Sequence, residues 1–123
     1  MNIIVNADKK HSSRKPFGEL FFDRNFDNPL TETGAGRFLK PLEMVRLAPS
    51  ATNKQEWRVL LADKALHFYK KAYPMFDAID MGIALCHFEL TCKELGIAGK
   101  FEILKDFPNN DKIEYVISWT GYN

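Results

Sequence analysis

The segment from Arg46 to Arg58 concentrates side chains that could bind a polar or anionic ligand. Its hydrogen-bond donors and acceptors are hydroxyl and amide side chains, namely Ser50, Thr52, Asn53 and Gln55. Pro49 and Ala51 would allow close approach of a ligand, and the two arginines could bind its anionic groups. This composition predicts one rim of a binding site. A helix C-terminus followed by an Asx-type turn would explain the same residues without a ligand, and the residues alone leave both interpretations open.

Two other patterns have ordinary structural explanations. Gly34-Ala-Gly36 begins like a dinucleotide-binding fingerprint, but no strand precedes it and Leu39 occupies the place of the third glycine. We therefore expect a flexible loop over residues 25–36 before a helix. His87 shares a helical stripe with Asp80, yet two helical turns separate them by roughly 10 Å, too far for an acid-base pair. We therefore predict that His87 is a partly buried structural histidine.

The overall charge and hydropathy exclude several classes of protein. The chain has 17 Lys plus Arg and 16 Asp plus Glu with no basic stripe, which argues against a dedicated nucleic-acid-binding protein. No apolar run approaches the ~20 residues that a membrane-spanning helix needs. The apolar residues near Met1 precede the first lysines, the reverse of a secretory signal, so a cytoplasmic location is expected.

Cys86 and Cys92 are the two cysteines of the chain. On one helix they would lie about 9 Å apart, beyond the ~7 Å limit for a disulfide, so we expect free thiols in a reducing compartment. The three histidines and two cysteines do not show zinc-ligand spacing, and no structural metal is expected.

The elements that must position the Arg46–Arg58 segment are a helix and a hairpin. The apolar face of residues 37–47 predicts a helix that Ala48-Pro49 ends, because a residue that precedes proline avoids the α region. Residues 57–62 and 65–70 are rich in β-forming residues, and Asp63-Lys64 between them predicts a turn.

A long helix and two further strands complete the predicted fold. Apolar residues form two rows over residues 76–95, which predicts a central helix that contacts structure on two sides and ends at Gly96. Residues 99–104 and 112–119 alternate apolar and polar side chains, as half-buried strands do. With a short helix over residues 17–22, directly after Pro16, the order α-α-β-β-α-β-β predicts an α+β domain with a mainly antiparallel sheet packed on the long helix. We expect a flexible N-terminal segment over residues 1–15 and one α+β domain over residues 16–123.

Two ordered motifs resemble signatures of the nitroreductase family of flavoproteins. The first is Arg46-x-Ala-Pro-Ser-Ala-x-Asn-x-Gln-x-Trp-Arg58. The second is Asp80-Met-Gly-Ile-Ala-x-x-His-Phe-Glu-Leu-Thr-x-Lys-Glu-Leu-Gly96, followed by Gly99-Lys-Phe101. The resemblance extends from about Arg14 to Trp119, and within one double-length branch of the family it covers only the C-terminal half. It implies a nitroreductase-like half-unit.

The resemblance also implies a cofactor and a reaction. Members of the family bind FMN and pass electrons from NAD(P)H to nitroaromatics, quinones or similar acceptors by a ping-pong route. By the same resemblance Pro49, Ser50, Ala51 and Asn53 would line the flavin, and Gln55 and Arg58 would support the segment. Arg46 belongs to the same predicted set, and no catalytic residue is implied.

The resemblance leaves several possibilities open for the site of the FMN phosphate and for the partner of this chain. The family's basic N-terminal motif has as its counterpart here only Lys10-His-Ser-Ser-Arg14. The possible cations for an FMN phosphate are Arg14, Lys15, Arg46, Lys54 and Arg58. A half-unit implies a homodimer or a partner chain that supplies the missing half. The alternative is a non-catalytic, truncated nitroreductase-like domain that dimerises but binds flavin weakly or not at all.

Overall fold

The structure, a computed structural model, describes residues 14–49, 57–71 and 76–121, with the side chains of residues 76–78 left out. The helices are α1 (Phe17–Leu20), α2 (Glu32–Ala35), α3 (Leu39–Leu47) and α4 (Phe76–Leu95). A single 3-10 turn, Gly36–Phe38, leads into α3. The strands are β1 (Phe21–Asp23), β2 (Trp57–Ala62), β3 (Ala65–Lys71), β4 (Gly99–Glu102) and β5 (Ile113–Gly121). Most of the predicted flexible segment 1–15 lies outside the described residues.

The five strands form one sheet in the order β1-β2-β3-β5-β4. Three of its four strand pairs are antiparallel, and β1 runs parallel to β2. This confirms the predicted α+β class with a mainly antiparallel sheet. The sequence prediction of helix through residues 17–22 is wrong after Leu20. The fully buried Phe21 instead pairs with Val59, a distant contact that the local sequence does not reveal.

The predicted β2–β3 hairpin is confirmed. Trp57 pairs with Lys70 at one end and Ala62 with Ala65 at the other. Asp63 and Lys64 have φ values of 52° and 64°, which place both residues in the left-handed region. Two such residues in succession give a two-residue turn whose twist matches that of the strands it joins.

The loop predicted before α3 contains a short helix. The side-chain oxygen of Thr31 accepts a hydrogen bond from Gly34 N at 2.9 Å and caps α2, so the prediction of loop over residues 25–36 is wrong for Glu32–Ala35. The helix predicted from residue 37 begins at Leu39. It ends as expected, with Ala48 in extended conformation before Pro49.

Helix α4 has the predicted bounds, and Gly96 follows it with a φ of 70°. Among the described residues, however, its two apolar sides differ in exposure. Met81, Ala84, Phe88 and Cys92 are buried against the sheet and α3, whereas Ile79 and Leu90 are 69% and 54% exposed. Helix α4 packs against both α3 and the sheet, and the row that contains Ile79 and Leu90 is the more exposed one in this part of the chain. No helix among the described residues is long and apolar enough to cross a membrane.

Aromatic side chains fill the core between α4 and the sheet. Phe88 of α4 contacts Phe68 and Trp119 edge to face, with ring centroids 5.2 Å apart in both pairs. Trp119 in turn contacts Phe101 at 5.0 Å. The opposite face of the sheet carries a smaller cluster around Leu60, Ala62 and Tyr69. The high aromatic content therefore builds the core on both faces of the sheet.

Candidate functional site

The end of α3 fixes the first part of the predicted ligand segment. Val45 and Ala48 are buried in the main core, and the same core contains Trp57 at the start of β2. Pro49 follows Ala48 and is exposed. Buried apolar residues thus anchor both ends of the Pro49–Arg58 segment: Ala48 directly before it and Trp57 within its last two residues.

Arg46 is held in place by contacts on both sides. Its Nε donates a hydrogen bond to Glu43 Oε1, one turn earlier on α3. Its second guanidinium nitrogen, Nη1, donates to the backbone carbonyl of Lys15 at 3.3 Å. The Arg46 side chain is 20% exposed, so it is largely packed yet still reaches the surface.

Arg14 lies close enough to Arg46 for the two charges to repel each other. Burial lowers the pKa of Arg14, and the positive charge of Arg46 lowers it further. We call these residues the Arg14–Arg46 pair. Two guanidinium groups held near each other, one of them partly desolvated, favour a nearby anion because an anion reduces their mutual repulsion.

Helix α1 explains why Arg14 is found beside α3. This short helix contacts both α3 and β2. Leu20 is fully buried, and the Phe17 ring packs edge to face on Phe21 with centroids 4.5 Å apart. These contacts fix the residues that precede α1, including Arg14 and Lys15. From the sequence, Arg14 is one of several cations that could bind the FMN phosphate. The packing of α1 against α3 distinguishes it from the others, because it brings Arg14 near Arg46.

Arg58 lies on β2 at the other end of the segment. It pairs in register with Tyr69, and its Nη1 donates to the carbonyl of Trp57 at 2.6 Å. The Trp57 side chain is almost fully buried, and its Nε1 has no hydrogen-bond partner among the described residues. The remaining predicted site residues, namely Ser50, Ala51, Asn53 and Gln55, lie outside the described residues, so their predicted role stays a prediction.

A second polar cluster lies on the opposite face of the sheet, away from α3. His67 Nδ1 is 2.7 Å from Ser118 Oγ, and Ser118 Oγ is 2.7 Å from the Tyr115 hydroxyl. That hydroxyl accepts a hydrogen bond from Leu104 N at 3.1 Å. His67 and Ser118 are both buried, and burial lowers the pKa of His67 against smaller opposing effects of Ala62 and Asp63. Because His67 and Ser118 are almost fully buried, we interpret this cluster as structural.

The histidine that the sequence singles out has a different environment from the predicted one. His87 is exposed, so the prediction of a partly buried residue is wrong. Its backbone carbonyl accepts a hydrogen bond from Thr91 Oγ1 at 2.7 Å, within α4. Asp80, two turns earlier, is buried. The two residues therefore face different environments and do not form a site.

Comparison with known proteins supports the architecture described above. A solved structure from Thermotoga maritima, titled "putative nitroreductase", superposes with a TM-score of 0.55 at 24% sequence identity. The match covers 87% of this chain and 41% of that chain, so this chain spans about two-fifths of the longer protein. No curated protein matches.

The family comparison covers the α1–α4 part of the chain. The model of the family described as "Putative TM nitroreductase" matches residues 9–92. This range contains the Arg14–Arg46 pair, the Pro49–Arg58 segment and most of α4. It is more than half of the chain, and the chain therefore belongs to this nitroreductase family.

Proposed function

We propose that this chain is an FMN-binding unit of an NAD(P)H-dependent oxidoreductase that reduces nitroaromatic, quinone or similar acceptors. The observation that carries the proposal is the Arg14–Arg46 pair, which lies next to the start of the Pro49–Arg58 segment. FMN carries close to two negative charges on its phosphate and needs at least one fixed cation nearby. Two adjacent guanidinium groups, one with a lowered pKa, fit that requirement.

The residues of the segment have distinct proposed roles. Pro49 and Ala51 would leave room for the flavin, and Ser50 and Asn53 would supply a hydroxyl and an amide to its polar edge. Gln55 and Arg58 would support the segment, and the Arg58 bond to Trp57 fits such a role. When bound, FMN would supply the hydride-transfer chemistry between NAD(P)H and the acceptor. The protein would position FMN and form hydrogen bonds to it, and we assign no side chain as an acid or base.

The proposed site needs a second unit. This chain spans 41% of the longer solved structure, and Ile79 and Leu90 of α4 are exposed among the residues that the structure describes. We propose that a homodimer or a partner chain completes the binding site. We also propose a reducing compartment such as the cytoplasm, where an exposed thiol such as that of Cys86 stays reduced.

The first prediction concerns the FMN phosphate. Arg14→Gln and Arg46→Gln should each weaken FMN binding about tenfold or more, because a hydrogen bond to a charged group contributes about 1.5–3 kcal/mol. Fluorescence titration of FMN with the purified variants measures this. Arg24→Gln is the matched control, because Arg24 is an exposed arginine at the far end of β1.

Glu43→Gln separates a binding role of Arg46 from a purely structural one. This change removes the ion pair within α3 but keeps the Arg46 charge. We expect FMN affinity in Glu43→Gln to equal or exceed that of the wild type. An equal loss of affinity in Glu43→Gln and Arg46→Gln would show that the ion pair only maintains α3, and the phosphate assignment would then be wrong.

A non-catalytic domain is the second candidate function. It is favoured by the 41% coverage of the longer structure and by the weak match of Lys10-His-Ser-Ser-Arg14 to the family's basic N-terminal motif. Purified enzyme should be yellow and release flavin on denaturation. A colourless protein that does not retain added FMN would support the non-catalytic alternative.

A further inference from the structure

The connection between β4 and β5, residues 103–112, packs on the face of the sheet that lies away from α3, and we call it the strap. A ring contact and a hydrogen bond hold its middle. The Phe107 ring lies parallel to the Tyr115 ring of β5, with centroids 3.7 Å apart and 10° between the planes. The hydroxyl of Tyr69, on β3, donates a hydrogen bond to the carbonyl of Pro108. Two tyrosines of the sheet therefore attach the strap.

Tyr115 also holds the first residues of the strap. Its hydroxyl accepts a hydrogen bond from Leu104 N at 3.1 Å, so the same side chain contacts both Leu104 and Phe107. At the other end of the strap, Lys112 N and Ile113 N donate hydrogen bonds to Asn110, within the turn that leads into β5. Tyr115 is therefore the side chain through which the sheet can control the start of the strap.

Ser118 connects the Tyr115 hydroxyl to His67. The Tyr115 hydroxyl is 2.7 Å from Ser118 Oγ, which is 2.7 Å from His67 Nδ1. Because Leu104 N can only donate, the hydrogen of the Tyr115 hydroxyl can point to Ser118, and that of Ser118 can point to Nδ1. In this direction every donor of the series has an acceptor, and His67 is neutral with its hydrogen on Nε2.

Protonation of His67 reverses the series. Nδ1 then carries a hydrogen and donates to Ser118, so the Ser118 hydrogen must turn towards Tyr115. The Tyr115 oxygen would accept from both Ser118 and Leu104 N, and its own hydrogen would have no acceptor within this cluster. A polar group left unsatisfied in a partly buried place is unfavourable. The charged form of His67 therefore disfavours the hydrogen bond between Leu104 and Tyr115.

The groups around His67 identify it as the residue that responds to pH. Asp63 and the Ala62 backbone favour the charged ring, but loss of hydration on burial outweighs them and lowers the pKa of His67. Burial raises the pKa of Tyr69. Glu102 of β4 pairs in register with Ser118 and accepts a hydrogen bond from Thr120 Oγ1. The charged residues of the strap and of the loop that carries Phe26 are exposed, namely Arg24, Asp27, Lys105, Asp106, Asp111 and Lys112.

We propose that protonation of His67 detaches the strap from the sheet. The strap is attached while His67 is neutral, and its detachment lets water reach His67 and the rings of Tyr69 and Tyr115. A hydrated histidine has a pKa of about 6.5, above that of the buried one, so the detached form takes up the proton more readily. Attachment is therefore complete above about pH 6.5 and weakens as the pH falls below it. This inference is independent of the proposed function, because none of its residues belongs to the proposed FMN site.

Hydrogen exchange of the Leu104 amide, followed by NMR, tests the proposal directly. Its protection factor, corrected for the intrinsic effect of pH, should fall between pH 7 and pH 5 by at most about tenfold per pH unit, because one proton is taken up. At each pH it should be lower than the protection of amides in the β3–β5 pairing, since detachment leaves the sheet folded. Equal protection would show that the strap leaves only when the protein unfolds, which would overturn the proposal.

His67→Gln tests the role of the histidine. Glutamine can accept the Ser118 hydrogen but does not titrate, so Leu104 protection in this variant should be the same at pH 7 and pH 5. His87→Gln is the matched control, because His87 is exposed on α4, and it should keep the wild-type dependence on pH. A His67→Gln variant that keeps this dependence would overturn the proposal.

Ser118→Ala and Tyr115→Phe test the hydrogen-bonded route from His67 to the strap. Ser118→Ala leaves His67 in place but breaks the route, so Leu104 protection should no longer depend on pH. Tyr115→Phe keeps the ring that stacks on Phe107 and removes the acceptor of Leu104 N, so Leu104 protection should be severalfold lower at both pH values. Full pH dependence in Ser118→Ala, or unchanged protection in Tyr115→Phe, would contradict the proposed route.

Discussion

At the scale of single residues, the buried side chain of His67 makes the stability of the protein depend on pH. Its side chain is 2% exposed, and burial lowers its pKa below the value in an unfolded chain. At a pH between these two values, the unfolded chain binds a proton more readily than the folded protein does. The contribution of His67 to stability is therefore complete above the unfolded pKa of about 6.5 and is lost as the pH falls through this window.

The prediction for His67 concerns the free energy of unfolding between pH 7 and pH 5. In the wild type it should decrease, with His67 contributing at most about 1.4 kcal/mol per pH unit. His67→Gln should reduce this slope, as measured by urea unfolding at several pH values. The exposed His87 provides the control, His87→Gln, which should keep the wild-type slope. Equal slopes in the wild type and His67→Gln would contradict the prediction.

The predicted ligand segment shows what the sequence can establish about individual site residues. Residue types identify Arg46 and Arg58 as possible anion-binding groups. They do not reveal that Arg46 contacts Lys15 or that its charge acts on Arg14, because these contacts join residues about thirty positions apart. The pairing of the two arginines follows from tertiary packing of α1, which local patterns do not encode.

At the scale of elements, the placement of strand β4 requires glycine at position 99. Its φ of 154° is rarely adopted by other residues, and a Cβ atom there would lie 2.4 Å from Trp119 Nε1. Gly99 begins β4, and Phe101 two residues later pairs in register with Trp119. The close approach of the Gly99 backbone to the indole therefore aligns β4 with β5.

Gly99→Ala should destabilise the protein by about 1–3 kcal/mol, because the added methyl group must displace a packed indole. Thermal unfolding measures the loss. The same change made in a Trp119→Phe background should cost less, since the smaller ring leaves room for the methyl group. An equal loss of stability in both backgrounds would show that backbone strain at position 99, and not contact with the indole, causes the effect.

The elements differ in how well their local sequence predicts them. Helix α4 and the β2–β3 hairpin carry strong periodic patterns, and both are found with the predicted bounds to within one residue. Strand β1 has only three residues and pairs with a strand more than thirty positions away. Helix α2 is one turn long and includes Gly34. Segments this short carry too little periodicity to outweigh the loop signals around them.

At the scale of the whole molecule, the reactivity of Cys86 should report whether two chains are associated. Cys86 is exposed on α4, on the side that carries Ile79 and Leu90, whereas Cys92 is buried in the core, which raises its pKa to about 11. Alkylation of Cys86 by iodoacetamide should be slower in the wild type than in Leu90→Glu. Cys92 should remain unmodified in both folded proteins and serve as the internal reference. Equal rates for Cys86 would contradict burial of this side of α4 by a second unit.

The family comparison and the exposed apolar side chains of α4 both fit a chain that is one unit of a larger assembly. Residues 9–92 match a nitroreductase family, and the chain corresponds to 41% of a longer solved structure. The sequence predicts a half-unit, and it also predicts both apolar rows of α4. It does not predict which row is covered, because this depends on the side from which the sheet packs.

The position of β5 in the sheet has a consequence for how the protein folds during synthesis. β5 is the last described strand, yet it lies between β3 and β4 and pairs with both. Until β5 leaves the ribosome, β4 has no neighbour and the β3 edge remains open. The nascent chain must therefore wait for β5 before the sheet can close, and apolar surface stays accessible to chaperones during that interval.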